Sequence, residues 1–315
     1  MKNRTVRRTT LSIAVVAALT GVAACGSGSS GGKGDKAAGQ GVTHVSPIAA
    51  LRTAADSTAK ADSAKVESTT SMGDVMTLKG AGSLAWGDGL TGSLTLTYTG
   101  GKMADAMRAA GSPSIQARYL PDAYYAKMSE KFAQQAGGGK HWVRYGYEDI
   151  AQLGGSSGAY LKDQLQNTTP NQSVKLLLAS GDVKKVGEEQ VGGEHTTHYH
   201  GTVDVADFAD KSSKNLSASQ LADLKKQLSQ AGITTETVDL WINDQNLLVK
   251  KAEKGDTANG TVISTATYRD YGVKVSAEAP PAGDTVDFKN LMKAQAPAQG
   301  GTGTGTASGG SGVSS

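Results

Sequence analysis

Three histidines within six residues, His195-Thr196-Thr197-His198-Tyr199-His200, are the one place where this sequence spaces side chains for metal chemistry. Neutral imidazoles that lie close together can share a divalent ion. On a strand, His198 and His200 point one way while Tyr199, Val203 and Val205 point the other. The apolar side must face a core, so the histidines are expected to face solvent, and only Glu194 stands by to complete a ligand set. The expectation is a solvated polar face, with no metal and no cofactor. Nucleophilic chemistry is no better supported. Gly155-Ser156-Ser157-Gly158 lacks the Gly-x-Ser-x-Gly elbow of a hydrolase. Gly137-Gly138-Gly139-Lys140 lacks the spacing of a phosphate loop and reads as a hairpin connection. Asp204, Asp207 and Asp210 suit capping rather than paired acid–base work, and His44 and His141 have no apparent partner. The chain is not expected to be an enzyme.

Charge narrows the partners. The net charge of +3 comes from 32 basic and 29 acidic residues, but Lys2, Arg4, Arg7 and Arg8 all fall in the first 24 residues, which hold no acid. The remainder is close to neutral, and phosphate binding needs a concentrated basic field, so nucleic acid is not an expected partner. Behind these four charges Leu11 to Thr20 is apolar and gives way to Gly21, Ala23 and Ala24, the shape of a secretory signal. It falls short of the about 20 apolar residues that a membrane span takes. The segment Val22-Ala23-Ala24-Cys25 resembles the lipobox of bacterial lipoproteins, and Cys25 is the sole cysteine. That resemblance implies cleavage before Cys25 and its lipidation. Two acyl chains are what stable anchoring requires. The general export route is preferred over the twin-arginine one, because Arg7-Arg8 lacks the usual flanking residues.

The elements that would follow are ordered as tether, body and tail. After the signal (residues 1–24), residues 25–41 are the lipidated cysteine and a Gly/Ser linker, whose 16 residues after Cys25 span roughly 20–25 Å as a random coil. Residues 42–293 are a single domain, and residues 294–315 are a Gly/Ser/Thr-rich tail without apolar content. Ser46 and Pro47 open a helix with Ile48, Leu51, Ala55 and Ala59 on one face. Alternation then takes over: Met76, Leu78, Leu84 and Trp86 share a parity, Gly87-Asp88-Gly89 turns the chain, and Leu90, Leu94, Leu96 and Tyr98 share the next. Further strands are expected at Ile115–Leu120, Tyr124–Met128, Trp142–Tyr145, Lys184–Val191, His195–Val205, Glu236–Ile242, Leu247–Lys254 and Thr261–Tyr271. Short helices are expected at Tyr160–Leu165 and Ser173–Ala179, and a longer one begins with the capping box Ser217-Ala218-Ser219-Gln220. The pattern is α+β, a mainly antiparallel sheet with helices laid on one face.

Two late stretches carry a family resemblance. Val238-Asp239-Leu240-Trp241-Ile242-Asn243 followed by Leu247-Leu248-Val249-Lys250-Lys251, and Tyr268-Arg269-Asp270-Tyr271-Gly272 with Ala279-Pro280-Pro281-Ala282, resemble the closing hairpin and tail of the actinobacterial LppX/LprAFG lipoproteins. More broadly the chain is similar to the LolA/LolB-like half-barrel. What the resemblance implies is a strongly curved antiparallel sheet whose concave face, covered by helices, forms an apolar cavity. That cavity would hold the acyl chains of a lipid or lipoglycan and move it across the envelope from a membrane anchored on its extracellular face. Interior glycines (Gly80, Gly82, Gly92) let such a sheet bend, and Leu78, Leu84, Leu94, Leu96, Tyr98 and Met128 are the candidate cavity residues. The competing reading is the same fold with a filled interior, acting as an envelope interaction or sensor module.

Overall fold

The computed structural model describes residues 46–153, 158, 162, 165–166, 169–204, 218–230, 232–258 and 260–295. The strands are β1 (Ser63–Met72), β2 (Met76–Ala85), β3 (Thr91–Gly100), β4 (Ser114–Tyr119), β5 (Ala123–Lys127) and β6 (Trp142–Gly146). They continue as β7 (Lys184–Val191), β8 (Glu194–Asp204), β9 (Thr235–Asn243), β10 (Leu248–Thr257), β11 (Gly260–Arg269) and β12 (Thr285–Asp287). The helices are α1 (Pro47–Lys60), α2 (Gly101–Ala109), α3 (Glu130–Gln135), α4 (Tyr147–Leu153), α5 (Pro170–Ser180), α6 (Ala218–Gln230) and α7 (Phe288–Gln295). The expected signal, Cys25, the linker and His44 lie outside the described residues, as do Ser156, Asp207, Asp210, Ser217 and most of Tyr160–Leu165.

Local chemistry accounts for α1. Ser46 accepts a hydrogen bond from the Ala49 amide at 3.2 Å, and Pro47 sits where its missing N–H would have had no partner. The buried stripe is Leu51, Ala54, Ala55 and Thr58, while Ile48 stays 38% exposed. The expected face through Ile48 and Ala59 is thus rotated. Ala54 and Ala55 are small enough to let α1 press on α5, and Thr58 is drawn inward because its Oγ1 accepts the Leu248 amide at 3.2 Å.

All twelve strands form one unclosed, curved sheet in the order β12-β6-β5-β4-β3-β2-β1-β11-β10-β9-β8-β7. Neighbours are antiparallel except β12, which runs parallel to β6. Two meanders, β2 to β6 and β7 to β11, are each built from sequential strand pairing, and β1 joins them by pairing with β2 on one side and β11 on the other. The expected hairpin is present, with Ala85 opposite Thr91 across the Gly87-Asp88-Gly89 turn. The α+β architecture is as the sequence pattern predicts. Near that turn β2 and β3 approach so closely that a Cβ on Gly82 would lie 2.1 Å from the Ser93 carbonyl oxygen, and one on Gly92, held at φ 144°, would lie 2.2 Å from that of Ser83. Only glycine fits so close a backbone approach at these two positions.

Pairing registers assign one face of every strand. From Val143 and Tyr145 on β6, the inner face runs through Tyr124 and Ala126, Ala117 and Tyr119, and Leu94, Leu96 and Tyr98. It continues through Leu78 and Leu84, Ala64 and Val66, and Ala266 and Tyr268 to Leu240 and Tyr199. Helices α1 and α5 cover the half built by β8 to β11, β1 and part of β2. There Leu51, Val174, Leu176, Leu177, Val238, Leu240, Leu248 and Tyr268 form the main core. At Gly201 the sheet accepts α5 directly, since a Cβ there would lie 2.5 Å from Leu177 Cδ1.

One polar network is buried at the margin of this core. Lys251 Nζ stands 3.0 and 2.9 Å from the two Glu253 carboxylate oxygens and donates to Ser173 Oγ at 2.9 Å, while Ser173 Oγ donates to Glu253 Oε1 at 2.7 Å. It ties the first turn of α5 to β10. Removing one member of a buried pair strands the other charge. Lys251→Met is therefore expected to cost about 3–5 kcal/mol in chemical denaturation, with much of that recovered in the Lys251→Met/Glu253→Leu double variant.

Candidate functional site

The second half of the inner face, over β2 to β6, is lined differently from the first. Leu78 pairs with Tyr98, Leu94 with Ala117 and Leu96 with Ile115, so the leucines stand in a row with glycines and alanines between them. Tyr119 packs on Tyr124 with ring centroids 5.2 Å apart, Tyr124 on Tyr145 at 5.5 Å, and Tyr145 on Phe288 of α7 at 4.9 Å. Helix α7 is held over β6 by that ring contact, by the β12–β6 pairing and by Lys289, whose Nζ is 2.7 Å from Asp149 Oδ1. In a chain with only 5% aromatic residues, this is a strong local concentration.

These tyrosines are crowded by protein. Burial pushes Tyr119 up to about 12, raises Tyr145, and raises Tyr124 well above the usual phenol value, with neighbouring tyrosines adding to the last. Yet Tyr98, Tyr119, Tyr124 and Tyr145 all keep accessible surface. Among the predicted cavity residues, Leu78, Leu94, Leu96, Tyr98 and Met128 are likewise only half-buried. Leu84, at 5% exposure, belongs to the main core, and Leu94 and Tyr119 pack against that same core from its margin. The sequence reading passed over Tyr119, Tyr124, Tyr145 and Tyr147, although the alternation Ile115/Ala117/Tyr119 and Tyr124/Ala126/Met128 carried the signal.

The histidine cluster departs from expectation. It lies on the outer face, but the His198 side chain is only 12% exposed. It stacks on Trp241 at 4.3 Å, and its two ring nitrogens face Glu189 Oε1 at 3.0 Å and Asp239 Oδ1 at 2.7 Å. His200 Nδ1 meets the same Asp239 oxygen at 3.0 Å, while His195 pairs with Asp244 at 2.9 Å. Glu194, the acid expected nearby, instead accepts from Asn243 Nδ2 at 2.6 Å. Strands β7 and β9 supply the covering groups, which no local pattern in β8 could show. Among the described residues no group of three or more His, Cys, Asp or Glu side chains is arranged to hold a metal. His141, expected to be unpartnered, bridges Glu130 Oε2 and Asp284 Oδ1, each at 2.8 Å, and both bonds raise its pKa.

Comparison with known proteins places the chain. No family model matches it. It is 56% identical over 253 residues to an uncharacterised 31.2 kDa Streptomyces griseus protein from the rplA–rplJ intergenic region, covering 80% of this chain and 82% of that one. It is also 46% identical over 311 residues to the Streptomyces coelicolor protein named "Putative lipoprotein SCO4650", covering 94% and 99%. The chain belongs to this Streptomyces lipoprotein family. Solved structures similar to this lipoprotein include LppX of Mycobacterium tuberculosis, at 14% identity and a TM-score of 0.44 over 74% of this chain and 98% of that one. LprF of Mycobacterium bovis matches at 15% and 0.42 over 74% and 96%. A LolA superfamily protein of Nitrosomonas europaea matches at 12% and 0.25 over 75% and 96%. Among the described residues no helix of the lipoprotein is long and apolar enough to cross a membrane.

A small recess lies at the far end of the inner face, lined by Thr70, Glu236, Glu253, Asp256, Val262 and Ser264 among others. Burial, and then the charge of Glu253, raise the Glu236 carboxyl. A carboxyl whose folded pKa is raised favours the fold in its neutral form, so stability is highest below about pH 4.5 for this group and is lost as pH rises toward 8. Thermal melts of wild type are expected to show that decline between pH 5 and 8, and Glu236→Gln is expected to flatten it.

Proposed function

We propose that this lipoprotein is anchored through diacylated Cys25 to the outer face of the cytoplasmic membrane, and that the inner face over β2 to β6 holds the acyl chains of a lipid or lipoglycan for passage across the envelope. The observation that carries the reading is a half-covered apolar face: Leu78, Leu94, Leu96, Tyr98 and Met128 are only half-buried on the inner side of the sheet, beside the packed tyrosines. A face of this kind leaves apolar surface in contact with solvent, and each methylene that a ligand buries against it contributes about 0.8 kcal/mol. Acyl chains match it in shape and polarity. The chemistry on offer is binding and release rather than bond cleavage.

Native mass spectrometry of a Cys25→Ser protein purified from an actinobacterial host is expected to find a co-purifying lipid, and Leu94→Trp/Leu96→Trp to reduce its occupancy at least fivefold. An empty wild-type protein that instead binds a specific envelope protein, insensitively to both tryptophans, would establish the interaction-module reading. Detergent phase partitioning should move the chain from the detergent phase to the aqueous phase on Cys25→Ser substitution.

A further inference from the structure

The strap made of the turn Ala282–Asp284, β12 and α7 is held to the sheet more by charge than by burial. From Asp284 to Ala294 none of its residues is buried. Its strand is three residues long and runs parallel to β6 in a sheet that is otherwise antiparallel. Phe288 rests on Tyr145, with ring centroids 4.9 Å apart. Polar contacts add to this hold: Lys140 Nζ donates to the Thr285 carbonyl at 2.9 Å, Arg144 to Asp287 at 3.2 Å and Lys289 to Asp149 at 2.7 Å. The His141 amide donates to Asp284 Oδ1 at 2.9 Å, and the His141 ring meets the same oxygen at 2.8 Å. A segment with so little buried apolar surface opens before the core does. Just upstream the chain is fixed, because Pro280 is buried and the Glu278 carbonyl accepts from Arg118 at 2.9 Å.

His141 makes this attachment depend on pH. Its Nδ1 faces Asp284 and its Nε2 faces Glu130, each at 2.8 Å, and an ionised carboxylate can only accept. Both nitrogens must carry a proton for both bonds to exist, so the ring that holds the strap is an imidazolium. Its side chain is 32% exposed and can exchange that proton with solvent. The groups facing it are Glu130 from α3, whose other oxygen accepts from Gln134 at 2.9 Å, and Asp284 from the turn before β12. Lys127 of β5 acts on Asp284, while Lys131 of α3 is engaged with the Ala109 carbonyl and Lys140 with that of Thr285.

We propose that the strap is a pH-sensitive cover on the β6 end of the apolar face, latched by protonated His141 and released when His141 loses its proton. What the cover regulates rests on the lipid-binding reading, whereas the latch rests on the geometry of His141 and the strap. The two carboxylates raise the His141 pKa, and His141 lowers theirs. A raised histidine contributes its full stabilisation below its ordinary value and loses it as pH rises through the folded value. The strap is therefore docked in mildly acidic solution and undocks as the solution becomes alkaline. Undocking takes Phe288 off Tyr145, the last ring of the row Tyr119, Tyr124 and Tyr145, and leaves β6 as the open edge of the sheet. A lipid lying along Leu94 and Leu96 then leaves from that side.

The test uses the full chain with Cys25→Ser, at about pH 5.5 and about pH 9, on either side of the ordinary imidazole value. Hydrogen-exchange mass spectrometry, corrected for the intrinsic rate at each pH, compares residues 284–295 with β10. In wild type the strap is expected to lose at least fivefold in protection relative to β10 on going to the higher pH. His141→Gln should leave the strap poorly protected at both, and Phe288→Ala supplies the undocked reference; retained protection of β10 shows that the variants fold. Release of a pyrene-labelled diacylglycerol, uncharged at both pH values, should accelerate at least threefold in wild type and stay constant in His141→Gln. Wild-type strap protection that does not fall, or falls as much in His141→Gln, overturns the latch. A strap that opens without faster release overturns its role as a cover and leaves lipid binding standing. If the diacylglycerol does not bind wild type, the lipid reading falls and the cover with it, and exchange alone decides the latch.

Discussion

The pairing of β1 with β11 is the interaction on which the rest of the structure depends. It brings Lys65 opposite Arg269 and Met72 opposite Val262, joining the beginning of the folded body to its end. Without it there are two separate meanders, each with an unpaired edge and one apolar face open to water. With it there is one continuous sheet. Because side chains alternate along every strand, that single register determines which residues of both meanders share the inner face. The entropy of closing so long a loop is met by eight paired positions and by the core that forms above them.

The inner face is then used in two ways. Under α1 and α5 it is packed with branched aliphatic residues and sealed, with the Lys251–Glu253–Ser173 network tying helix to sheet. Over β2 to β6 the same face carries tyrosines and half-buried leucines above a floor of glycine and alanine.

The outer face follows a different logic. His198 is held between Glu189 and Asp239 and against Trp241, itself covered by Lys250 at 4.0 Å. These groups come from β7, β8, β9 and β10, so the network braces four strands of an open sheet near its β7 edge. At the opposite edge His141, between Glu130 and Asp284, clips the chain leading into β12 to the start of β6. Both edges of the unclosed sheet are therefore fastened by histidines with carboxylates on each nitrogen.

The sequence by itself determined what depends on near neighbours. The export signal and Cys25 are read from contiguous residues, the Ser46-Pro47 start of α1 is a local cap, and the strand alternation of Leu90 to Tyr98 needs only a period of two. The α+β class followed from the order of such segments. Tertiary structure decided what depends on register and on contacts between distant strands. Short helices such as α2, α3 and α4 are stabilised by what they pack on rather than by an apolar period of their own, so their sequences gave little sign of them. The α1 stripe turned away from Ile48 because α5 and Leu248 claimed the other side. His198 was covered by Glu189, Asp239 and Trp241, and Leu84 is buried in the core while Leu94 and Leu96 stay half-buried, although all three share a parity. Parity is a property of the chain, but depth is a property of the assembled sheet and its helices. Only the folded molecule could say where the apolar face was filled and where it was left open.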